Sequence, residues 1–237
     1  KTIFDKFDLC LAANLETKKY LFELGAQNII FNGNLKLINT SGNIKKNYKN
    51  NDFLKKNRFW IAASTHSGEE KLCLETHKIL KGKFNNIITV IIPRHTFRSN
   101  SIKKICDNLN LKAKIHELND KMTKKNEIYI INHYGSLDQY FNYAKSVFIG
   151  KSMLKGLKEV GGQNPIDPAR LGCKIYHGKY VYNFKETYEF LKKKKISTRI
   201  SNINQLAKLL SLDLKNIQKK QNNYFSIVNN LGKKTLN

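Results

Sequence analysis

Phe59-Trp60-Ile61-Ala62-Ala63-Ser64-Thr65-His66-Ser67-Gly68-Glu69-Glu70 is the stretch that decides the fold. An unbroken apolar run gives way to small and polar residues and then to a helical pattern over Glu69–Leu80. A short apolar run bounded by turn signals fits a strand buried on both faces, which is the condition of a parallel sheet. The same grammar recurs along the chain. Further strands are predicted at Phe7–Ala12, Asn28–Asn32, Ile87–Ile92, Glu127–Ile131, Ser146–Gly150, Lys174–His177 and Ser197–Ile200. Helices are predicted between and after them at Leu15–Leu24, Thr96–Leu109, Leu137–Tyr143, Pro165–Leu171, Asn183–Lys193, Ile203–Leu210 and Leu214–Asn230. Alternation at this spacing calls for βαβ crossovers, hence an α/β, Rossmann-like parallel sheet with helices on both faces. The stretch Ile38–Lys56, rich in Asn, Lys, Ser and Gly, reads as a loop or linker. A domain join is expected near Gly33.

Composition narrows the class. The chain has 237 residues, 41% hydrophobic and 26% charged, which is ordinary for a globular protein. At this size roughly 70% of the unfolded surface can be buried, so no disulfides are needed. Cys10, Cys73, Cys106 and Cys173 are far apart and form no C-x-x-C pair, which argues against a zinc site and for a reducing compartment. No run reaches the roughly 20 apolar residues of a membrane span. The opening Lys-Thr-Ile-Phe-Asp has neither an initiator Met nor the apolar core of a leader. It begins close to a strand, and more chain is expected before it.

Net charge is +25, from 43 basic and 18 acidic residues. Such a surface attracts polyanions, either nucleic acid or an anionic membrane. Only Arg58, Arg94, Arg98, Arg170 and Arg199 are arginines. The lysines and asparagines are spread along the whole chain, as in AT-rich coding sequence. They form no basic stripe with interleaved aromatics, and no recognised nucleic-acid module is present. Lys192–Lys195 reads as a solvated helix end, where Lys complements the helix dipole.

In parallel sheets ligands bind outside the carboxyl ends of the strands, and the loops there hold the unusual residues. In Ser64–Glu70, Gly68 lets a ligand approach the backbone, and the following helix start is an anion site. The alternative is a plain capping box with Ser67 as N-cap and Glu70 three residues on. In Pro93-Arg94-His95-Thr96-Phe97-Arg98, two of the chain's few arginines share one loop. The planar guanidinium grips phosphate or carboxylate at two points, as Lys does not. His95 either donates to an oxyanion or caps the next helix. Then come Gly150-Lys151-Ser152 and Gly161-Gly162-Gln163-Asn164-Pro165-Ile166-Asp167. In the second of these, Asn164 is the expected N-cap, Pro165 the first helical residue, and Asp167 a first-turn carboxylate.

Taken together these loops resemble the 3-deoxy-D-manno-octulosonic acid (Kdo) transferases, from about Leu21 to about Leu191. The resemblance includes Leu24-Gly25-Ala26, Gly33-Asn34-Leu35-Lys36 and Asn183-Phe184. Its most specific element is Ser64-Thr65-His66-Ser67-Gly68-Glu69-Glu70 followed by Pro93-Arg94-His95 with Arg98. It implies the C-terminal domain of a GT-B glycosyltransferase. Residues 1–33 would end the N-terminal domain, 34–212 would bind the donor nucleotide, and 213–237 would return towards the N-terminal domain. It also implies transfer of Kdo from CMP-Kdo to a lipid A precursor (lipid IVA), at the cytoplasmic face of the bacterial inner membrane. The general base would lie in the N-terminal domain, outside this chain.

Carried over residue by residue, the donor site comprises Ser64, Thr65, His66, Gly68, Glu69, Pro93, Arg94, His95, Arg98, Gly135, Gly150, Ser152, Gly161, Gly162, Asn164 and Asp167. Arg94 and the Ser64–Gly68 turn would hold the phosphate or the Kdo carboxylate. Asn164 and Asp167 would meet ribose or Kdo hydroxyls. No cofactor or metal is implied. The implied partners are CMP-Kdo, the lipid acceptor and an anionic membrane surface, with no specific nucleic acid. Two departures stand out. A family loop of the form D-T-x-G-E reads Asn132-His133-Tyr134-Gly135-Ser136 here, keeping only the glycine, and the usual Glu after G-G-x-N-P-x is Asp167. A UDP-sugar GT-B enzyme, a basic nucleic-acid binder and a ligand-binding remnant without activity stay open as alternatives.

Overall fold

The computed structural model describes residues 3–13, 15–31, 49–135, 137–216 and 223–233. Two compact units divide the chain: Lys1–Lys45 with Phe225–Asn237, and Lys46–Tyr224. Gly33 and most of the expected linker, 38–48, lie outside the described residues.

In the smaller unit, β1 (Cys10–Ala12) and β2 (Ile29–Phe31) pair in parallel, with α1 (Leu15–Glu23) crossing between them. Helix α9 (Asn223–Lys233) begins in the larger unit and continues in the smaller. It covers the second part of the helix expected over Leu214–Asn230. Leu214 and Lys215 form a turn instead, and 217–222 lie outside the described residues.

The larger unit is built on seven strands: β3 (Phe59–Thr65), β4 (Ile88–Pro93), β5 (Ala113–His116), β6 (Ile128–Ile131), β7 (Ser146–Ile149), β8 (Lys174–His177) and β9 (Ser197–Arg199). All pair in parallel, in the order β5-β6-β4-β3-β7-β8-β9. Strand β3 is central and almost wholly buried, which is why it reads as a continuous apolar run. The helices are α2 (Asn51–Lys56), α3 (Glu69–Lys81), α4 (Ser99–Asn108), α5 (Asp138–Tyr143), α6 (Ile166–Arg170), α7 (Lys185–Lys193) and α8 (Ile203–Asp213). Helix α3 packs beside α4 and α8, and α5 beside α2 and α6, so helices flank the sheet. Trp60, Leu74, Ile91, Ile102, Ile130 and Leu210 meet in the core on the α3 side.

Strand β1 is shorter than the expected Phe7–Ala12, and three elements of the larger unit differ in kind or in start. Asn51–Lys56 is a helix rather than linker. Helix α4 starts at Ser99, after a separate 3-10 turn at Thr96–Arg98. Strand β5, Ala-Lys-Ile-His, was not expected at all. It is a short, half-buried edge strand whose lysine lowers its apolar signal, a common way of blunting a sheet edge.

Candidate functional site

Chain order reverses on either side of β3. The sheet continues through β4 on one side and through β7 on the other, and the crevice at their carboxyl ends is the topological switch point. The turn after β3 is irregular for a reason. Pairing with β4 slips one residue between Ala63 and Thr65, and Ser64 takes a left-handed φ of 55°. Gly68, with φ 91°, then turns the chain into α3. The alternative reading, a capping box with Ser67 as N-cap, is not what forms. Gly68 itself holds the N-cap position and no side chain caps there, because both following glutamates turn inward.

Glu69 is fully buried and its carboxylate accepts four backbone N–H bonds: from His66 (3.1 Å), Lys151 (2.6 Å), Ser152 (2.8 Å) and Met153 (3.0 Å). One side chain thus fastens the loop after β3 to the loop after β7. Gly150 allows this closeness. A Cβ there would lie 2.6 Å from both the Ser64 carbonyl oxygen and the Thr65 Cα. Glu69 and Gly150 were both expected in donor binding; the structure makes them the frame of the crevice.

The two loop arginines have different partners. Arg98 forms a two-point ion pair with the buried Glu70, its second bond at 3.1 Å. This pair holds the 3-10 turn against α3, so Arg98, expected on the donor, has a structural partner in Glu70. Arg94 is exposed at the end of β4. Its backbone N–H donates to the Thr65 carbonyl (3.1 Å), which fixes where its side chain starts. Pro93 is buried beneath it. The His95 ring stacks on Phe97 and stands edge-on to His66, 6.0 Å away. Burial holds the His66 imidazole below its usual 6.5; Glu69 opposes this, while Lys151, His95 and Arg98 reinforce it. His66 is therefore mostly neutral at pH 7. Thr65 places its buried hydroxyl at the same turn, with no hydrogen-bond partner among the described residues.

The loop after β7 supplies the other wall. Gly162 has a φ of 96°, and Gln163 brings its Nε2 within 3.5 Å of His66 Nε2. Helix α6 starts at Ile166, with Pro165 in the cap position rather than first in the helix. The Asn164 carboxamide oxygen still accepts the Ile166 N–H (3.0 Å), two residues on, as an Asx turn. Asp167 is exposed and pairs with Arg170 at 3.4 Å. Gly161 lies where a Cβ would meet the Tyr180 carbonyl oxygen at 2.5 Å, so it serves the loop's own packing.

Ser152, also expected on the donor, has partners within the fold. It is wholly buried, donates to the Ile149 carbonyl (2.7 Å) and accepts the Gly178 N–H (2.8 Å). It locks the β7 and β8 loops together. Gly135, with φ 74°, sits in open space in the loop after β6. Beside it the Thr96 hydroxyl donates to the Tyr134 hydroxyl (3.4 Å), and Ser136 lies outside the described residues. Lys151, Gln163 and Gly178 are not among the expected site residues. Lys151 is left-handed (φ 57°) and close enough to depress His66. A Cβ on Gly178 would sit 2.1 Å from the Ser152 carbonyl oxygen.

No family model matches the chain. A 3-deoxy-D-manno-octulosonic acid transferase of Haemophilus influenzae is 28% identical over 166 residues, 65% of this chain and 38% of its own length. One from Aquifex aeolicus is 24% identical over 216 residues, 90% of this chain and 56% of its own length. One from Rickettsia felis is 32% identical over 158 residues, 66% of this chain and 33% of its own length. The chain thus spans about a third to a little over half of these relatives. Among solved structures, the C-terminal CMP-Kdo binding domain of WaaA from Acinetobacter baumannii has a TM-score of 0.62 at 21% identity, covering 78% of this chain and 91% of that one. Anabaena HepE, in complex with UDP-glucose, has a TM-score of 0.55 at 12% identity, covering 99% and 62%. At these identities the structural likeness establishes the fold.

Proposed function

We propose that this chain, a relative of the Kdo transferases over their C-terminal part, holds CMP-Kdo in the crevice between β3 and β7. It would serve as the donor-binding domain of an enzyme that passes Kdo to a lipid A precursor in lipopolysaccharide synthesis. The observation that carries this reading is the division of labour between the arginines. Glu70 consumes Arg98 and leaves Arg94 exposed at the mouth of the crevice, beside the start of α3. Departure of CMP builds negative charge on its phosphate. A guanidinium fork and the first-turn amides of a helix are preorganised donors for that charge. His66, mostly neutral at pH 7, can donate one hydrogen bond and accept another at the same place. Asn164 and Asp167 are the candidates for ribose or Kdo hydroxyls. We assign no general base to this chain and no metal to the reaction.

The net charge of +25 supports docking on an anionic membrane, the cytoplasmic face of the inner membrane on this reading. No helix among the described residues is long and apolar enough to cross a membrane. Amide chemical-shift mapping tests the site. Titrated CMP should move the amides of Ser64–Gly68, Arg94 and Gly162–Asn164. Shifts confined to other loops would reject the crevice.

A further inference from the structure

A second cavity of about 610 Å³ opens at the carboxyl ends of β8 and β9, walled by α7 and by the loops after β7 and β8. Its cations are Lys155, Lys158, Lys179, Lys185, Lys192 and Arg199, against the single carboxylate of Glu189. Six of its 12 lining residues are thus Lys or Arg, against 43 of 237 in the whole chain. General lysine richness does not explain that density. Nor do helix ends, which place Lys192 in the last turn of α7 and Lys155 in a 3-10 turn but leave Lys158, Lys179, Lys185 and Arg199 unexplained. None of the six makes an ion pair among the described residues. Unneutralised like charges gathered around a concave, low-dielectric wall repel one another and focus a positive potential into it.

The wall between the cations is apolar and aromatic. Tyr188 is buried, with its ring centroid 4.3 Å from that of His177 on the cavity floor. His177 Nδ1–H donates to the Gly178 carbonyl at 2.7 Å, and in the neutral ring this leaves Nε2 as an acceptor. The volume lies in the range of small-molecule sites, about 300–1,000 Å³, and not of an extended nucleic-acid track. Ammonium groups arriving from separate segments, with one guanidinium fork, suit a multiply charged phosphate better than a lone carboxylate.

We propose that this cavity is a second anion site, which takes a small ligand carrying one or more phosphate groups next to an apolar or sugar-like body. The source is a soluble phosphorylated sugar or the phosphorylated headgroup of a lipid. The site does not rest on the donor reading, because none of its lining residues belongs to the crevice. It does abut the crevice: the Tyr188 hydroxyl donates to the Gln163 carbonyl (3.0 Å), in the loop that carries Gly162 and Asn164.

The test uses the whole chain carrying Arg94→Ala, so that the crevice contributes little. Pyrophosphate and fructose bisphosphate are titrated by calorimetry at about 0.15 M salt, where exposed charges are screened beyond about 8 Å. Sedimentation with phosphatidic acid vesicles, against phosphatidylcholine vesicles, forms the lipid arm. The cavity variant is Lys185→Glu with Lys192→Glu and Arg199→Glu. The control, Lys71→Glu with Lys78→Glu and Lys208→Glu, makes the same charge change on exposed helix faces elsewhere. A Gln version of the cavity set serves if the Glu set unfolds.

The cavity variant should lose roughly tenfold or more in affinity, and the control under about twofold. Loss confined to the soluble probes identifies a soluble ligand, and loss confined to the vesicles a lipid headgroup; either supports the site. Equal loss in both variants, or no saturable binding of any probe, overturns it.

Discussion

Glu69 and Asp213 are carboxylates sunk into opposite ends of one sheet, and they are satisfied by different kinds of partner. At the carboxyl end, Glu69 accepts four backbone amides from two loops. At the amino end, Asp213 accepts three side chains: the Ser146 hydroxyl (2.6 Å), the Lys174 ammonium (2.5 Å) and the Tyr176 hydroxyl (2.5 Å). Amides belong to the chain itself, so Glu69 sets the path of the backbone from which Ser64–Gly68 and Lys151–Met153 project. Asp213 ties α8 to β7 and β8 and sets no loop. Function can sit at the carboxyl end, since a site that grips a ligand needs its backbone fixed before the ligand arrives.

Replacements at the two ends put the contrast at risk. Glu69→Gln should have the largest effect. One carbonyl oxygen cannot accept all four amides, and its NH2 group faces donors. We expect a loss of roughly 3–5 kcal/mol in urea denaturation, and of CMP binding with it. Gly150→Ala should cost about 1–3 kcal/mol, because the new methyl meets backbone rather than a side chain that can move. It should also lower CMP affinity, by parting the two loops. Asp213→Asn should cost roughly 1–2 kcal/mol and leave CMP affinity unchanged, since its partners lie at the far end. If Asp213→Asn weakens CMP binding as much as Glu69→Gln does, the distinction between the two ends fails.

Acid should weaken the fold through buried histidines at the carboxyl end. Burial pushes His116 down to about 4, with Asp120 opposing and His133 adding. Burial likewise pushes His177 down to about 4, against the bond to Gly178. Between pH 6.5 and about 4 the unfolded imidazoles bind protons that the folded ones do not. Stability from these two groups is therefore complete above 6.5 and falls as pH drops through that window. Denaturation midpoints measured across it should decline, and a flat profile would contradict the burial of these rings. The smallest effect on the fold is expected for Arg94→Lys: unchanged stability, with CMP affinity lowered roughly tenfold, about 1.4 kcal/mol.

Much of this architecture was legible in the residues. Strands β3, β4, β6 and β7 are largely apolar because both their faces are covered, and the expected limits of these four and of β8 (Lys-Ile-Tyr-His) fall within two residues of those found. Strand β5 was hidden because an edge needs little apolar signal, and α2 because its six residues were read with the polar segment before them. The loops were found by their composition, but composition did not tell frame from ligand site. Arg94 and Arg98 look alike in sequence; only the inward turn of Glu70 separates them. Ser152 and Gly150 were placed on the donor by resemblance alone, and small residues serve close approach to a ligand and close approach of backbone to backbone equally well. The basic cavity was illegible because Lys155, Lys179, Lys192 and Arg199 come from distant segments that only the fold gathers.

Donor binding in the crevice is decided by calorimetric titration of the chain and of its Arg94→Ala variant with CMP, with UDP as competitor. Saturable CMP binding, preference for CMP over UDP, and a loss of roughly tenfold or more in a variant that unfolds at the same urea concentration as the parent are expected. Preference for UDP, absence of CMP binding to the folded chain, or undiminished binding by Arg94→Ala would contradict it.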